Sequence, residues 1–423
     1  MARRYWMHTL GCPKNQVDSD KLEGTLIADG LRPATSPDEA DLVVVNTCAF
    51  IEAARQESID TILALGDVRK DGAELVVTGC MAERYGDELA EALPEVDAVV
   101  GFGVPVTLGA SRSVAAAVTG RQVVPAFDLL ELARPAGTVP WAYLKVAEGC
   151  DRACGFCAIP SFRGPQRSRS QASILQEVDA LSVREVVLVA QDLAAYGRDQ
   201  GKGERAIVPL VQAVAARVER VRLLYLYPSD LTDELVEAII ATGVAYFDLS
   251  LQHVSRPLLA RMRRWGDGGR FLERINSIRA IEPEAAFRSN FIVGYPGETE
   301  ADHDALLAFI DEAQLDWCGF FSYSSEEGTH AAGLDGAVAD GLVAERLSEL
   351  SERQDAITAA RRDALIGSEV EVLVDAPGVG RTYREAPEID GIVHLPDDLA
   401  PGTLVQVMVS AAEGPDLTAI RRK

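Results

Sequence analysis

Between residues 1 and 135, short apolar runs alternate with stretches whose apolar positions recur every three or four residues. YWMHTL, DLVVVNTC, ELVVTGC and VDAVVG read as strands, and the stretches at about 18–29, 51–65 and 82–93 read as helices. That alternation predicts a parallel sheet with helices on its faces. RPAGTVP, at 134–140, reads as a linker. From 136 to 365 the alternation returns with six strand candidates, WAYLKVA, EVVLVA, RLLYLY, YFDLSLQ, FRSNFIVG and WCGFFSYS, separated by helical stretches such as LTDELVEAIIATG and EADHDALLAFIDEAQ. Six β/α units are fewer than the eight of a closed barrel, so a partial (β/α)6 barrel is expected, with its chemistry at the carboxyl ends of the strands. From 366 to 423, SEVEVLVD, GRTYRE, GIVHLP, LVQVMVSA and LTAI are short strands punctuated by Gly and Pro, which predicts a small all-β barrel. The expected fold class is α/β: an N-terminal parallel α/β sheet domain (1–135), a central partial barrel (136–365) and a C-terminal all-β domain (366–423).

Composition narrows the function classes. The 423 residues are 48% hydrophobic and 25% charged. The longest apolar runs, such as 43–45 and 186–190, are far too short to span a bilayer. The opening MARRYWMHTLGC contains no apolar signal core, so a cytoplasmic location without membrane association is expected. Seven cysteines form an odd set, which favours metal or redox chemistry over a disulfide framework. A net charge of −24 repels phosphate backbones and attracts a basic protein partner.

The cysteines fall into two groups of three. Cys150, Cys154 and Cys157 follow the strand WAYLKVA directly, with the spacing C-x3-C-x2-C inside EGCDRACGFCAIPSFRG. A structural zinc site would need a second ligand pair, and none follows at a useful spacing. Three thiolates suit three irons of a four-iron cluster, whose fourth iron stays open to a small molecule. Cys12, Cys48 and Cys80 each stand just past the carboxyl end of one of three successive strands, positions that converge on one crevice in an open α/β sheet. They read either as buried packing cysteines or, more sharply, as the ligands of a second iron-sulfur cluster with its own open iron. Cys318, in DWCGFF, lacks a partner and reads as core.

With Phe156 before the last cysteine, the C-x3-C-x2-C motif resembles the hallmark of the radical S-adenosylmethionine (SAM) superfamily. The resemblance implies that SAM chelates the open iron of a 4Fe-4S cluster and is cleaved by one electron to a 5′-deoxyadenosyl radical. Over essentially the whole chain the sequence further resembles the methylthiotransferases, in GCPKNQVDSD, NTCAF, TGC, CDRACGFCAIPSFRG, LSLQH and NFIVGYPGETE. That resemblance implies two 4Fe-4S clusters, one SAM as methyl donor and a second as radical source, a sulfur donor, and an electron donor such as flavodoxin. An unactivated C–H bond is beyond a side-chain base, which fits the lack of any Ser-His-Asp or paired-carboxylate motif. Candidate cofactor contacts at the strand ends are Phe156, Gln191, Asp192, Gln252, Gly294 and Glu298, the last two within GYPGE, whose glycines let backbone approach a nucleotide. His253 reads as a hydrogen-bonding group, and Arg163 and Arg288 as partners for a carboxylate of SAM or substrate, or as solvated surface.

The family divides between enzymes that modify a tRNA adenosine and a branch that modifies an aspartate of the small-subunit ribosomal protein numbered twelve. Three stretches resemble the latter branch: GCPKN, where the tRNA branch typically has GCQMN; CAIPSFRG, where it tends to VPYTRG; and YLYPSDLTDEL. The C-terminal domain resembles a TRAM domain, usually an RNA binder, yet residues 364–420 hold ten acidic residues against two arginines. Such a surface disfavours RNA and suits a lysine- and arginine-rich ribosomal protein. The expected activity is therefore insertion of a methylthio group at the β carbon of that aspartate. Modification of tRNA adenosine is the alternative, and a non-catalytic two-cluster electron carrier is a third reading.

Overall fold

The structure, a computed structural model, describes residues 2–109, 125, 127–201 and 203–421. In the N-terminal region β1 (Arg4–Thr9), β2 (Arg32–Pro33), β3 (Leu42–Thr47), β4 (Glu74–Gly79) and β5 (Ala98–Val100) form one parallel sheet in the order β2-β1-β3-β4-β5. The crossovers are α1 (Pro13–Ala28), α2 (Glu52–Val68) and α3 (Cys80–Ala92). The central strands read as unbroken apolar runs because both faces are covered: Val43, Val45, Leu75 and Val77 enter one core, and Leu42, Val44 and Val76 the other. Helix α1 starts at Pro13 rather than near residue 18, because proline at the first helical position presets the backbone. The apolar pattern missed this turn. Lys14, Asn15, Asp18, Ser19 and Lys21 are buried there despite being polar.

The central region is the expected partial barrel. Its strands are β6 (Trp141–Lys145), β9 (Glu185–Val189), β10 (Arg220–Leu223), β11 (Tyr246–Gln252), β12 (Ala286–Val293) and β13 (Trp317–Ser322), paired in parallel as β6-β9-β10 and β11-β12-β13. A parallel bridge between Leu226 and Leu249 joins the two sheets. The antiparallel pair β7 (Ala147–Glu148) and β8 (Arg167–Ser168) brackets the cysteine loop and α4 (Ile159–Arg163). Helices α5 (Gln171–Leu181), α6 (Ile207–Ala215), α7 (Asp233–Ile240), α8 (Arg256–Arg261), α9 (Gly268–Ile281), α10 (Glu300–Ala313) and α11 (Asp340–Asp363) complete the layer.

At the C-terminus β14 (Glu369–Ala376), β15 (Val379–Arg381), β16 (Val393–His394), β17 (Leu404–Glu413) and β18 (Asp416–Arg421) close into a barrel in the order β14-β15-β16-β18-β17. The strand expected over GRTYRE stops at Arg381. There Glu385 accepts the Thr382 N–H and hydroxyl, both at 2.7 Å, and turns the chain away. The freed segment 382–390 then spans the open seam between the barrel's edge strands. Tyr143 on β6 donates to the Pro387 carbonyl at 2.8 Å, Trp317 on β13 donates to the Arg384 carbonyl at 2.7 Å, and Ala386 between them is fully buried. Among the described residues no helix is long and apolar enough to cross a membrane.

Candidate functional site: two thiol tripods and their junction

The early tripod sits where the α/β topology predicts, at the carboxyl edge of the first sheet. Cys12 precedes α1, Cys48 directly follows β3, and Cys80 opens α3. The loops approach closely. Gly11, with φ +96°, has no room for a side chain, since a Cβ there would lie 2.9 Å from Cys48 Cβ and 3.0 Å from its Sγ. Asn15 ties the loops together, donating to the carbonyls of Leu10 (2.9 Å) and Thr47 (3.0 Å) and accepting from Cys80 Sγ at 3.5 Å. Burial, with the charges of Cys80 and Cys12, pushes the Cys48 thiol up to about 12. Burial likewise raises Cys80. Burial would raise Cys12 too, but Lys14 and the N–H groups of α1's first turn outweigh it and hold that thiol low.

The late tripod occupies the loop between β7 and α4. Cys150 is pinned by its N–H to the Gly164 carbonyl (3.0 Å), and Gly155 by bonds with Met262 and Ala331 (both 2.8 Å). Arg264 donates to Cys154 Sγ at 3.4 Å. Burial raises Cys150 to about 11, and burial with the charges of Cys154 and Cys150 raises Cys157 to about 12. No group of three His, Cys, Asp or Glu side chains among the described residues is arranged to hold a single ion. A four-iron cube requires no such convergence, because each thiolate binds its own iron. Each donor set, three buried or half-buried thiols with cationic neighbours, has the chemistry of an iron-sulfur site, where metal would ionise and satisfy the thiols.

The candidate cofactor residues divide in two. Gln191 donates to Glu148 at 2.6 Å, leaving its Oε1 buried without a partner, and Asp192 accepts from Arg152 at 2.5 Å, leaving its Oδ1 in the same state. Asn290 Oδ1 is a third such acceptor. The unfilled acceptors of Gln191 and Asp192, just past β9 and with Asp192 near Cys150, fit an ammonium or hydroxyl ligand such as SAM carries; Asn290 lies within β12. Phe156 packs partly buried against the barrel core, and Gln252 lies at a bulge at the end of β11 with φ +72°. Glu298 closes the GYPGE loop. Its carboxylate accepts the N–H groups of Gly294 (2.5 Å) and Tyr295 (3.3 Å) and pairs with Arg346 (3.0 Å), so it shapes the GYPGE loop from within. His253 is fully buried; its Nδ1 accepts the Ser255 N–H at 3.0 Å, and burial lowers its pKa to about 4. Cys318 is half-buried at the edge of the barrel core, away from both tripods in the fold.

Neither of the two arginines is solvated surface. Arg163 reaches Cys80 Sγ (3.1 Å), Asn15 Oδ1 (2.7 Å), Asp18 (2.9 Å) and Glu148 (3.0 Å), and its guanidinium lies 4.0 Å from the Phe102 ring. Arg288 pairs with Asp248 (3.2 Å) and Asp390 (3.4 Å). Lys145 on β6 completes the first network, bonding Asp18 and, at 2.7 Å, Glu148. Against its burial, Arg163 and Lys145 hold the Glu148 carboxyl down at about 2. Glu148 stands two residues before Cys150, so one network runs from Cys80 to the loop that carries the late tripod. A second clamp closes the same junction: Glu326, beyond β13, takes Arg55 from α2 (2.5 Å) and Arg84 from α3 (2.6 Å). Sequence reasoning missed Asp18, Lys145, Arg84, Arg152 and Arg264. Their only signal is polarity at inward-facing positions, which reads as surface until the partner domain is present.

Comparison with known proteins identifies the domains and the family. Residues 4–101 match the uncharacterized protein family UPF0004, residues 144–310 the radical SAM superfamily, and residues 366–420 the TRAM domain. The chain is 43% identical to the ribosomal protein uS12 methylthiotransferase RimO of Salinispora tropica, covering 99% of this chain and 95% of that protein. It is 44% identical to the RimO of Moorella thermoacetica over 95% of each. Among solved structures, the cobalamin-dependent SAM radical enzyme OxsB is similar over 84% of this chain and 56% of its own, at 12% identity and a TM-score of 0.46. The chain belongs to the RimO family of radical SAM methylthiotransferases.

Proposed function

We propose that the chain inserts a methylthio group into the β-carbon C–H bond of an aspartate of ribosomal protein uS12, with Cys150, Cys154 and Cys157 holding one 4Fe-4S cluster and Cys12, Cys48 and Cys80 a second. When bound, the clusters and SAM supply the electron, the radical and the methyl group that no side chain of the protein can. The chain itself positions and shields. Gln191 and Asp192 offer acceptors to SAM beside the late tripod. Arg152, held by Asp192 (2.5 Å) and stacked on Tyr227 (3.8 Å), fixes the loop that carries Cys150. Arg163 and Lys145, through Asp18 and Glu148, keep the two tripods in one register and exclude water between them.

The observation that carries this reading is the shared network: the guanidinium that touches Cys80 also touches the carboxylate two residues before Cys150. A reaction that moves a group from one centre to a carbon activated at the other needs that fixed relation. The choice of protein over tRNA is supported by the C-terminal domain, where Arg381 and Arg384 are buried against the barrel while Glu369, Glu371, Glu388, Asp397, Asp398 and Glu413 are exposed. Those exposed carboxylates attract a basic protein.

The test has two arms. Anaerobically reconstituted protein is expected to hold about eight irons, falling to about four when Cys12, Cys48 and Cys80 are replaced by alanine. Mass spectrometry of a deletion strain should show uS12 lacking the methylthio group and tRNA unchanged. Loss from tRNA alone, or no change in iron on replacing the three cysteines, would refute the proposal.

A further inference from the structure

Two of the stretches that set the protein-modifying branch apart in sequence meet in space. Lys14, of GCPKN, places its Nζ 3.3 Å from the ring centroid of Tyr225, of YLYPSD. Lys14 is only 8% exposed, and among the described residues no carboxylate or other hydrogen-bond acceptor meets its ammonium. The contrast with its neighbours is sharp: Lys145 and Arg163, equally buried, each pair with Asp18 and Glu148. The Lys14 charge also acts on the Cys12 thiol two residues away, but among the described residues no hydrogen bond joins the ammonium to that sulfur, and a desolvated ammonium with unfilled donors is unfavourable unless an acceptor joins it.

The ring beneath it is held in place. Tyr225 has φ +65°, a backbone conformation that a bulky residue keeps only when its surroundings enforce it. Asp248 accepts its N–H at 2.9 Å and is itself held by Arg288, which reaches Asp390 of the C-terminal domain. Two residues on, Tyr227 stacks on Arg152 (3.8 Å) and Arg264 (4.1 Å), and Arg264 contacts Cys154. In sequence the pair lies two residues from Cys12 on one side and two from Tyr227 on the other, whose stacked Arg264 reaches Cys154.

Resting on the function proposed above, we propose that Lys14, seated on Tyr225, receives the side-chain carboxylate of the target aspartate and so determines that an acidic residue, not a nucleobase, is presented to the reacting centres. A carboxylate fills the donors that the ring face and the Cys12 sulfur leave open. An adenine offers no anion at that point.

The test is a two-by-two comparison in reconstituted full-length enzyme: wild type and Lys14→Met, each with recombinant uS12 carrying the target aspartate or asparagine in its place. Wild type should bind the aspartate form about 10- to 100-fold more tightly. Lys14→Met should lower that ratio to about 3-fold or less, read in preparations whose iron content matches wild type, since Lys14 also acts on the Cys12 thiol. Persistence of the full ratio in Lys14→Met, or equal weakening of both substrate forms, would overturn the assignment. If Lys14→Met loses iron, Lys14→Arg is read instead: retained discrimination supports the role and lost discrimination with intact clusters overturns it. Failure of wild type to modify uS12 at all would instead refute the function on which the inference rests.

Discussion

Arg163 concentrates the logic of the junction in one side chain. It is nine-tenths buried and meets a thiol, an amide and two carboxylates on elements from both N-terminal domains. Removing it leaves Asp18 and Glu148 buried with Lys145 as their shared cation, and breaking a buried ionic network from one side typically costs about 3–5 kcal/mol. Arg163→Ala is expected to unfold at a lower temperature by calorimetry and to lose iron from the early tripod first. Arg163→Lys should recover part of the stability but not the Cys80 contact, because an ammonium cannot span four acceptors as a planar guanidinium does. An unfolding temperature for Arg163→Ala equal to wild type would refute this account.

At the scale of elements, the segment 382–390 acts as the missing wall of the barrel. Six strands leave β6 and β13 as open edges, and unpaired edges expose their lumen-facing side chains to water. The segment meets both edges through Tyr143 and Trp317 and buries Ala386 completely between them. A larger side chain there has nowhere to go. Ala386→Leu is expected to destabilise by about 1–3 kcal/mol through overpacking. Thermal unfolding and limited proteolysis at 382–390 would report it; unchanged protease resistance together with unchanged unfolding would count against the wall role.

Across the whole molecule, one ion cluster couples the barrel to the C-terminal domain. Glu185 on β9 is fully buried and pairs with Arg222 (2.8 Å) and with Arg381 of β15 (3.1 Å), which also holds Asp375 (2.6 Å). Against its burial, Arg381 and Arg222 hold the Glu185 carboxyl at about 2, below its ordinary 4.5. A depressed carboxyl contributes stability that is complete above its unfolded value and is lost as pH falls through the folded one, here between about 4.5 and 2. The difference corresponds to a contribution on the order of 3 kcal/mol at neutral pH. Wild type should thus be more stable than Glu185→Gln at pH 7, and the gap should narrow as pH falls from about 5 toward 2. A gap constant over that range, measured by denaturant unfolding, would show that the charge is not what matters.

Periodicity alone was enough for the order of layers. Unbroken runs such as LVVVNT and EVVLV can only be strands buried on both faces, and the helical stretches between them force parallel pairing. The cysteine positions were legible for the same reason, since residues just past parallel strands share one edge. What the chain order could not reveal is which buried polar residues belong together. Lys14, Asp18, Lys145, Arg163 and Tyr225 lie as far as 211 residues apart in number and carry no periodic signal. Their burial is tolerable only because charges from separate domains compensate one another, or await a substrate that does. Local sequence determines which residues can form a strand or helix; electrostatic satisfaction in a water-excluded interface depends on every partner at once, and only the tertiary structure decides it.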